Sequence, residues 1–144
     1  MDIVERNGSF FIKLYKDESL FESLEEFASR HEQTFGTLNG IGALKDCELG
    51  FYHLDRKEYD RKVFPHEAEL LSLVGNLSFL KEKPFFHIHT ILGASDFSTY
   101  GGHLFKATVA VTAEIIFRPL SLSVNREHDD EIGLNLLNLK GCGH

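Results

Sequence analysis

The sequence has 144 residues, 42% of them hydrophobic and 26% charged, and this balance excludes a largely disordered chain. A chain of this length fits one domain. The formal net charge is −7, which disfavours direct DNA binding, because much of the affinity for DNA comes from Lys and Arg side chains that neutralise phosphates.

No segment of the sequence has the pattern of a signal peptide or a membrane span. The first residues, Met-Asp-Ile-Val-Glu, form neither a basic leader nor an apolar run. No uninterrupted apolar stretch is long enough to cross a bilayer. We therefore expect a cytoplasmic protein without a membrane partner.

Two cysteines are too few for a disulfide framework or a cysteine-rich zinc site. We expect both to be reduced thiols, with Cys47 half-buried near a strand and Cys142 on the C-terminal tail. A nucleophilic role for Cys47 stays open, although no sequence feature places a base beside it.

The first predicted elements are a strand and an amphipathic helix. Residues 9–15 are rich in β-forming residues and predict the strand. Ser19 followed by Glu22 is a capping-box pattern, which predicts a helix start at this point. The apolar residues that follow recur at helical spacing, and we expect the helix to end near Gln33.

After the helix, the sequence predicts strands separated by turns. The expected strands are 37–44, 47–54, 58–65, 69–80, 85–92, 107–117 and 121–126. Gly40 and Gly42 lie inside the first of these and indicate a bulge or a close backbone approach. The tail from 127, with leucines at 134–139, is expected to dock as a short strand or helix. The predicted fold is α+β, a mainly antiparallel sheet packed with one principal helix in a single domain.

Three histidines are the main candidates for a functional site. His87 and His89 are two residues apart on a predicted strand, so both side chains point to the same face of the sheet. A loop over 93–102 can return His103 towards them, and Gly101 and Gly102 allow a tight turn or a close backbone approach. Three neutral imidazoles around one ion are a known zinc arrangement, so we predict a site for zinc or another divalent metal.

Two other interpretations of these histidines remain open. The side chains can simply form hydrogen bonds on a half-buried face, or they can line, uncharged, a pocket for an organic anion or a small carbonyl ligand. Glu69 and Glu114 lie at strand positions and are candidate hydrogen-bond partners of metal-binding histidines. The alternative for both is an ordinary surface or interface carboxylate.

Several short motifs, taken together, resemble one protein family. They are Gly-Ile-Gly-Ala-Leu at 40–44, Glu-Leu-Leu-Ser-Leu at 69–73 with Gly75-Asn76, His-Ile-His at 87–89, Gly-Gly-His-Leu at 101–104, and the strand 109–116. Their order is similar to that of PPC (plants-and-prokaryotes-conserved) domains, and the resemblance covers about 10–126. We therefore expect a single PPC-like domain over 1–144, with the core at about 10–126 and a tail at 127–144.

The resemblance implies a strongly bent antiparallel sheet packed on one helix and assembled as a homotrimer. Similar plant domains accompany AT-hook DNA-binding motifs and mediate nuclear protein–protein interactions. Prokaryotic relatives usually stand alone and are often described only as predicted DNA-binding proteins. The three-histidine set typical of the prokaryotic branch falls on His87, His89 and His103, whereas the Arg-Gly-Arg-Pro core of an AT-hook is absent.

Three functional hypotheses follow. The first is a non-enzymatic homotrimeric module with a regulatory or interaction role, whose histidine site binds a metal or a small ligand. The second is a regulatory protein that binds DNA directly or through a partner. The third is a metal-dependent enzyme in which the ion activates water or polarises a carbonyl, with Glu69 or Glu114 as the first candidates for general base.

Overall fold

Strands hold most of the residues that the computed structural model describes, which are 1–33 and 35–140. The elements are β1 (Asp2–Arg6), β2 (Ser9–Tyr15), α1 (Leu20–Arg30), β3 (Gly36–His53), β4 (Glu58–Phe64), β5 (Ala68–Leu80), β6 (Lys83–Gly93), β7 (Thr99–Pro119), β8 (Asn125–Asp129) and β9 (Leu134–Asn138). The fold is thus largely β with one short helix, whereas the sequence predicted a more balanced α+β domain. Cys142 lies outside the described residues.

The described strands belong to one mixed sheet. Their order is β1-β2-β7-β3-β5-β8-β9, and β4 pairs with β3. β6 pairs with both β5 and β7, and β3 also pairs with both, so these four strands form a closed circuit. Neighbouring strands pair antiparallel except where Phe79 of β5 meets Asn125 of β8 in a parallel bridge. Register shifts bend β3 against its neighbours, and one of them lies between Gly40 and Gly42 where a bulge was expected.

The helix covers one face of the sheet and forms the core with it. Leu20, Leu24 and Phe27 are buried, and the Phe27 ring meets Phe10 and Phe117 edge to face, with centroids 5.2 Å apart in each pair. Edge-to-face contacts of this kind stabilise a core beyond the area that they bury. Within the described residues, no helix is long and apolar enough to span a membrane.

The helix begins where the sequence predicted, with Ser19 as its N-cap residue, but its capping contact and its last residue differ from the prediction. The capping box is wrong, because the Ser19 side chain makes no cap hydrogen bond, and only its backbone carbonyl accepts, from the Ser23 N–H at 3.1 Å. The helix ends at Arg30, before the predicted Gln33, whose N–H donates back to the carbonyl of Ala28 at 2.9 Å.

The structure also differs from the sequence analysis near both chain ends. β1 was not predicted, because it is short and mostly exposed and so lacks the apolar alternation of an inner strand. The strand predicted at 121–126 is wrong for most of its length, since 120–124 is irregular and β8 begins only at Asn125. Three of the tail leucines, Leu134, Leu136 and Leu137, lie in β9, which pairs with β8 as a hairpin, so the tail docks as a short strand.

The connection between β6 and β7 is shorter than the predicted loop over 93–102. A tight turn closes at 94–98, where the Ala94 N–H donates to the Ser98 carbonyl at 2.9 Å, and β7 begins at Thr99. Gly101 and Gly102 therefore lie inside a strand and not in a hinge. Their role is the close approach that the sequence also suggested, because a Cβ on Gly101 would lie 2.4 Å from the Thr90 carbonyl oxygen of β6.

We expect Gly101→Ala to lower the free energy of unfolding by about 1–3 kcal/mol, because the added methyl group meets rigid backbone and forces β6 and β7 apart. Gly93→Ala, in the same hairpin, is the matched control. Its added methyl group would meet only the half-exposed Leu71 side chain, at 3.2 Å, which can rotate away, so its effect should stay within about 1 kcal/mol. Urea unfolding measures both, and equal stability of the two variants would contradict this account.

Candidate metal centre

The three predicted histidines come together on the sheet face opposite the helix. His89 of β6 and His103 of β7 are directly paired across the two strands. His87 lies two residues before His89 on the same face, while Phe86, Ile88 and Thr90 are buried on the other side, as predicted. The pairing places three imidazoles on two adjacent strands, because paired residues project to the same side of a sheet.

The imidazole rings form a nearly regular triangle. Their centroids are 5.0 Å apart for His87 and His89, 5.1 Å for His87 and His103, and 5.4 Å for His89 and His103. One ring nitrogen from each histidine lies within 4.8 Å of the other two. The geometry brings three potential ligand atoms close enough to share one small ion.

The spacing fits a tetrahedral metal centre. The Nε2 atoms of His87 and His89 are 3.1 Å apart. Two nitrogens bound tetrahedrally at about 2.0–2.1 Å from zinc would lie roughly 3.3 Å apart, so little movement is needed. His103 Nδ1 is buried without a hydrogen-bond partner among the described residues, as a ring nitrogen left for a ligand would be.

Burial keeps two of the histidines uncharged. It lowers the pKa of His87 to about 4, with smaller contributions from the positive charge of Arg126 and from His89. Burial also lowers the pKa of His103 to about 4, helped by His87, His89 and two arginines. Both imidazoles are therefore neutral at pH 7, which is the form that binds a metal ion.

The histidines lie in a depression that we call the histidine hollow. Its other walls are apolar or aromatic, apart from one guanidinium and one amide. The hollow is lined by Tyr59, Phe85, His87, His89, His103, Phe105, Arg126, Leu134, Asn135 and Leu136. No Asp or Glu of the described residues is among these lining residues.

Sequence reasoning missed the walls of this hollow. Phe105 follows His103 by two residues on β7, so strand alternation could have placed it on the same face. Tyr59 comes from β4, and its ring centroid lies 5.3 Å from that of His103. Arg126 arrives with the β8–β9 hairpin, and no local sequence pattern indicated that this hairpin folds over the histidines.

Glu69 and Glu114 do not partner the histidines. Both carboxylates are exposed and line other depressions, Glu69 beside Leu71 and Val111 and Glu114 beside Val4 and Phe11. Of the two interpretations in the sequence analysis, the exposed surface carboxylate agrees with the structure, whereas a contact with the metal-ligand candidates or a general-base role at this site does not.

Cys47 is more deeply buried than predicted, with 1% of its surface exposed. Burial, with a smaller contribution from Asp46, raises the pKa of its thiol to about 12. Because the thiolate is the reactive form, Cys47 is a core side chain and a poor nucleophile.

The low pKa values predict how stability depends on pH in the metal-free protein. The folded protein holds His87 and His103 neutral down to about pH 4, whereas unfolded histidine is protonated near pH 6.5. Between pH 6.5 and pH 4, the two histidines therefore bind protons in the unfolded state but not in the folded state, and this difference favours unfolding. We expect the free energy of unfolding to be insensitive to these groups above pH 7 and to fall as the pH drops from 6.5 towards 4.

Urea unfolding with a chelator at pH 7.5, 6 and 5 measures this loss. The double variant His87→Gln and His103→Gln is the control, since glutamine does not titrate, and its stability should fall less steeply. If the free energy of unfolding falls equally steeply with pH in the wild type and the double variant, these histidines do not cause the loss.

Comparison with known proteins extends over nearly the whole chain. The family model of the Plants and Prokaryotes Conserved (PCC) domain matches residues 1–121. No curated protein gives a significant match. A protein from Bacteroides thetaiotaomicron, described as a candidate DNA-binding protein, is 27% identical with a TM-score of 0.92, over 96% of this chain and 97% of that one.

Two archaeal structures are also similar. A metal-containing protein from Archaeoglobus fulgidus is 34% identical with a TM-score of 0.86, over 95% of each chain. A plant- and prokaryote-conserved (PPC) protein from Pyrococcus horikoshii is 26% identical with a TM-score of 0.84, over 95% of this chain and 93% of that one. The family match and these structures confirm the resemblance in the sequence, and the chain belongs to the PCC, or PPC, domain family.

Proposed function

We propose that this protein binds a divalent metal ion through His87, His89 and His103 and acts as a non-enzymatic, homotrimeric regulatory or interaction module. The observation that carries the metal proposal is the convergence of three imidazole nitrogens within 4.8 Å on two paired strands. The low pKa values of His87 and His103 support it, because neutral imidazoles need not lose a proton to bind an ion.

Zinc is the first candidate ion. Three histidines with an open fourth position are a zinc arrangement, although imidazole also suits Cu, Fe and Ni. The description of the Archaeoglobus fulgidus neighbour as metal-containing supports the presence of an ion without naming it. A bound zinc ion would supply a Lewis-acidic position for a ligand inside the hollow.

We expect the purified protein to bind about one Zn²⁺ per chain, measured by elemental analysis and by competition with a chromophoric chelator. His89→Ala should lower the zinc affinity by more than about 100-fold, since losing a ligand costs more than losing a residue that only orients one. His66→Ala is the control, because His66 is exposed in the connection between β4 and β5. Negligible zinc in the wild type, or unchanged zinc in His89→Ala, would refute the metal site.

The homotrimer is supported by exposed apolar side chains on the sheet face opposite the core. Val4 and Phe11 are paired on β1 and β2 and line a depression that ends at Ile41 of β3. A second depression continues from Ile41 to Leu71 and Val111. We call these five residues the outer band, and all of them are about half exposed or more. Exposed apolar patches of this kind mark interaction surfaces, and contact with further copies would cover them.

We expect light scattering after size exclusion to give about three times the chain mass of 16.4 kDa. Ile41→Glu should shift the protein towards the monomer, because it puts a charge in the middle of the outer band. Val63→Glu is the matched control, since Val63 lies on edge strand β4 and is 61% exposed, against 57% for Ile41. A monomeric wild type, or dissociation by Val63→Glu alone, would contradict the proposed interface.

The two alternative functions have less support. The description of the Bacteroides thetaiotaomicron neighbour supports DNA binding, but the net charge of −7 opposes attraction to phosphates. For a metal-dependent enzyme, the two carboxylates considered as general base, Glu69 and Glu114, line other depressions and not the histidine hollow. The binding module therefore agrees best with the geometry.

A further inference from the structure

A buried arginine shares the histidine hollow. Arg126 of β8 is only 8% exposed, and its guanidinium lies over the Phe85 ring, 4.8 Å from the ring centroid. It lines the same depression as His87, His89 and His103. The three imidazoles therefore face a fixed cation and not a carboxylate.

Three neutral acceptors hold this guanidinium in place. Nε donates to Ser78 Oγ at 2.8 Å, Nη1 to the Asn135 carbonyl at 3.0 Å, and Nη2 to Asn76 Oδ1 at 3.0 Å. A guanidinium has five N–H donors, so these bonds leave one N–H on each Nη atom. No carboxylate of the described residues forms an ion pair with Arg126, and the three acceptors orient its charge without balancing it.

The charge balance of the hollow calls for an anion. A divalent ion held by three neutral imidazoles keeps both of its positive charges, and Arg126 adds a third. The nearby guanidinium of Arg61 lies 3.6 Å above the centroid of Phe105, but it is half exposed and pairs with Glu48 at 3.5 Å, so it does not add to this unpaired charge. Buried charges are costly unless they are paired, so an anionic ligand would be favoured strongly here.

The walls indicate the class of anion. Each Nη atom keeps one N–H that can donate to a carboxylate oxygen, and hydrogen bonds between a guanidinium and a carboxylate are among the strong ones. The other surfaces that a ligand would touch are the rings of Tyr59 and Phe105 and the side chains of Leu134 and Leu136. These apolar walls suit a ligand with an apolar body better than a fully hydrated inorganic anion.

We infer that the histidine hollow binds a small organic monocarboxylate with an apolar body, whose carboxylate pairs with Arg126 beside the metal ion. This inference rests on the proposed metal site and names the class of ligand that the site selects. Arg126 is then a ligand-binding residue as well as the residue that fastens the β8–β9 hairpin to the sheet.

Calorimetric titration of phenylacetate into the zinc-loaded protein tests the inference. We expect phenylacetate to bind, the uncharged analogue phenylacetamide to show no binding, and acetate to bind about tenfold more weakly or worse, because it lacks the apolar body. This comparison uses the wild-type protein only, so it does not depend on the folding of any variant. Because the bound ion alone also favours a carboxylate over an amide, this comparison tests the class of ligand, and the contribution of Arg126 is measured with its variants.

Arg126→Gln should weaken phenylacetate binding by about 10–100-fold, the usual loss for a hydrogen bond to a charged group. Arg126→Lys keeps the positive charge but replaces the planar guanidinium with a single ammonium group, so phenylacetate binding should weaken less than in Arg126→Gln. Arg118→Gln is the control, because Arg118 is exposed on β7 and donates to Asn39, away from the hollow.

Zinc content and circular dichroism, measured on each protein, separate the possible outcomes. Loss of phenylacetate binding in folded, zinc-loaded Arg126→Gln supports the inference. If wild-type protein binds zinc but not phenylacetate, or prefers inorganic phosphate, or if Arg126→Gln binds phenylacetate normally, the inference fails and the metal site stands. If wild-type protein binds no zinc, the proposed function itself fails.

Discussion

The backbone pairing between β6 and β7 is the constraint on which the candidate site depends. It places His89 opposite His103, and the alternation of β6 adds His87 on the same face. The same register continues outward to Val74 of β5 on one side and to Gly50 of β3 on the other. Because these four strands close into a circuit, the distance between the imidazoles is set by sheet hydrogen bonds and not by a loop.

The sequence revealed more of the histidine triad than of its surroundings. Strand alternation is local, so it placed His87 and His89 on one face and Ile88 on the other without further information. The return of His103 was also predicted, but for a partly wrong reason: the two glycines before it permit close strand packing and do not form a hinge. The walls depend on β4 and on the β8–β9 hairpin, whose positions over the sheet follow from long-range packing. No pattern within a single segment encodes such packing, which is why Arg126 and Tyr59 were missed.

Burial has two opposite effects on the histidines. It removes His87 and His103 from water, which disfavours their charged form and keeps both available as ligands. Yet the buried His103 Nδ1 has no partner within the described part of the chain, and an unsatisfied polar atom weakens the fold. A site that is poorly satisfied by the protein alone gains most when a ligand completes it, because binding to the folded state stabilises that state.

Arg126 and the three histidines line the same hollow but come from different parts of the chain. The metal-ligand candidates lie within the segment that matches the family model, residues 1–121, whereas Arg126 and the leucines beside it belong to the hairpin that follows. The proposed ion binding and the inferred choice of ligand are thus assigned to different stretches of sequence. Evolution could exchange the hairpin and redirect such a protein to another small molecule while the coordination chemistry beneath stayed the same.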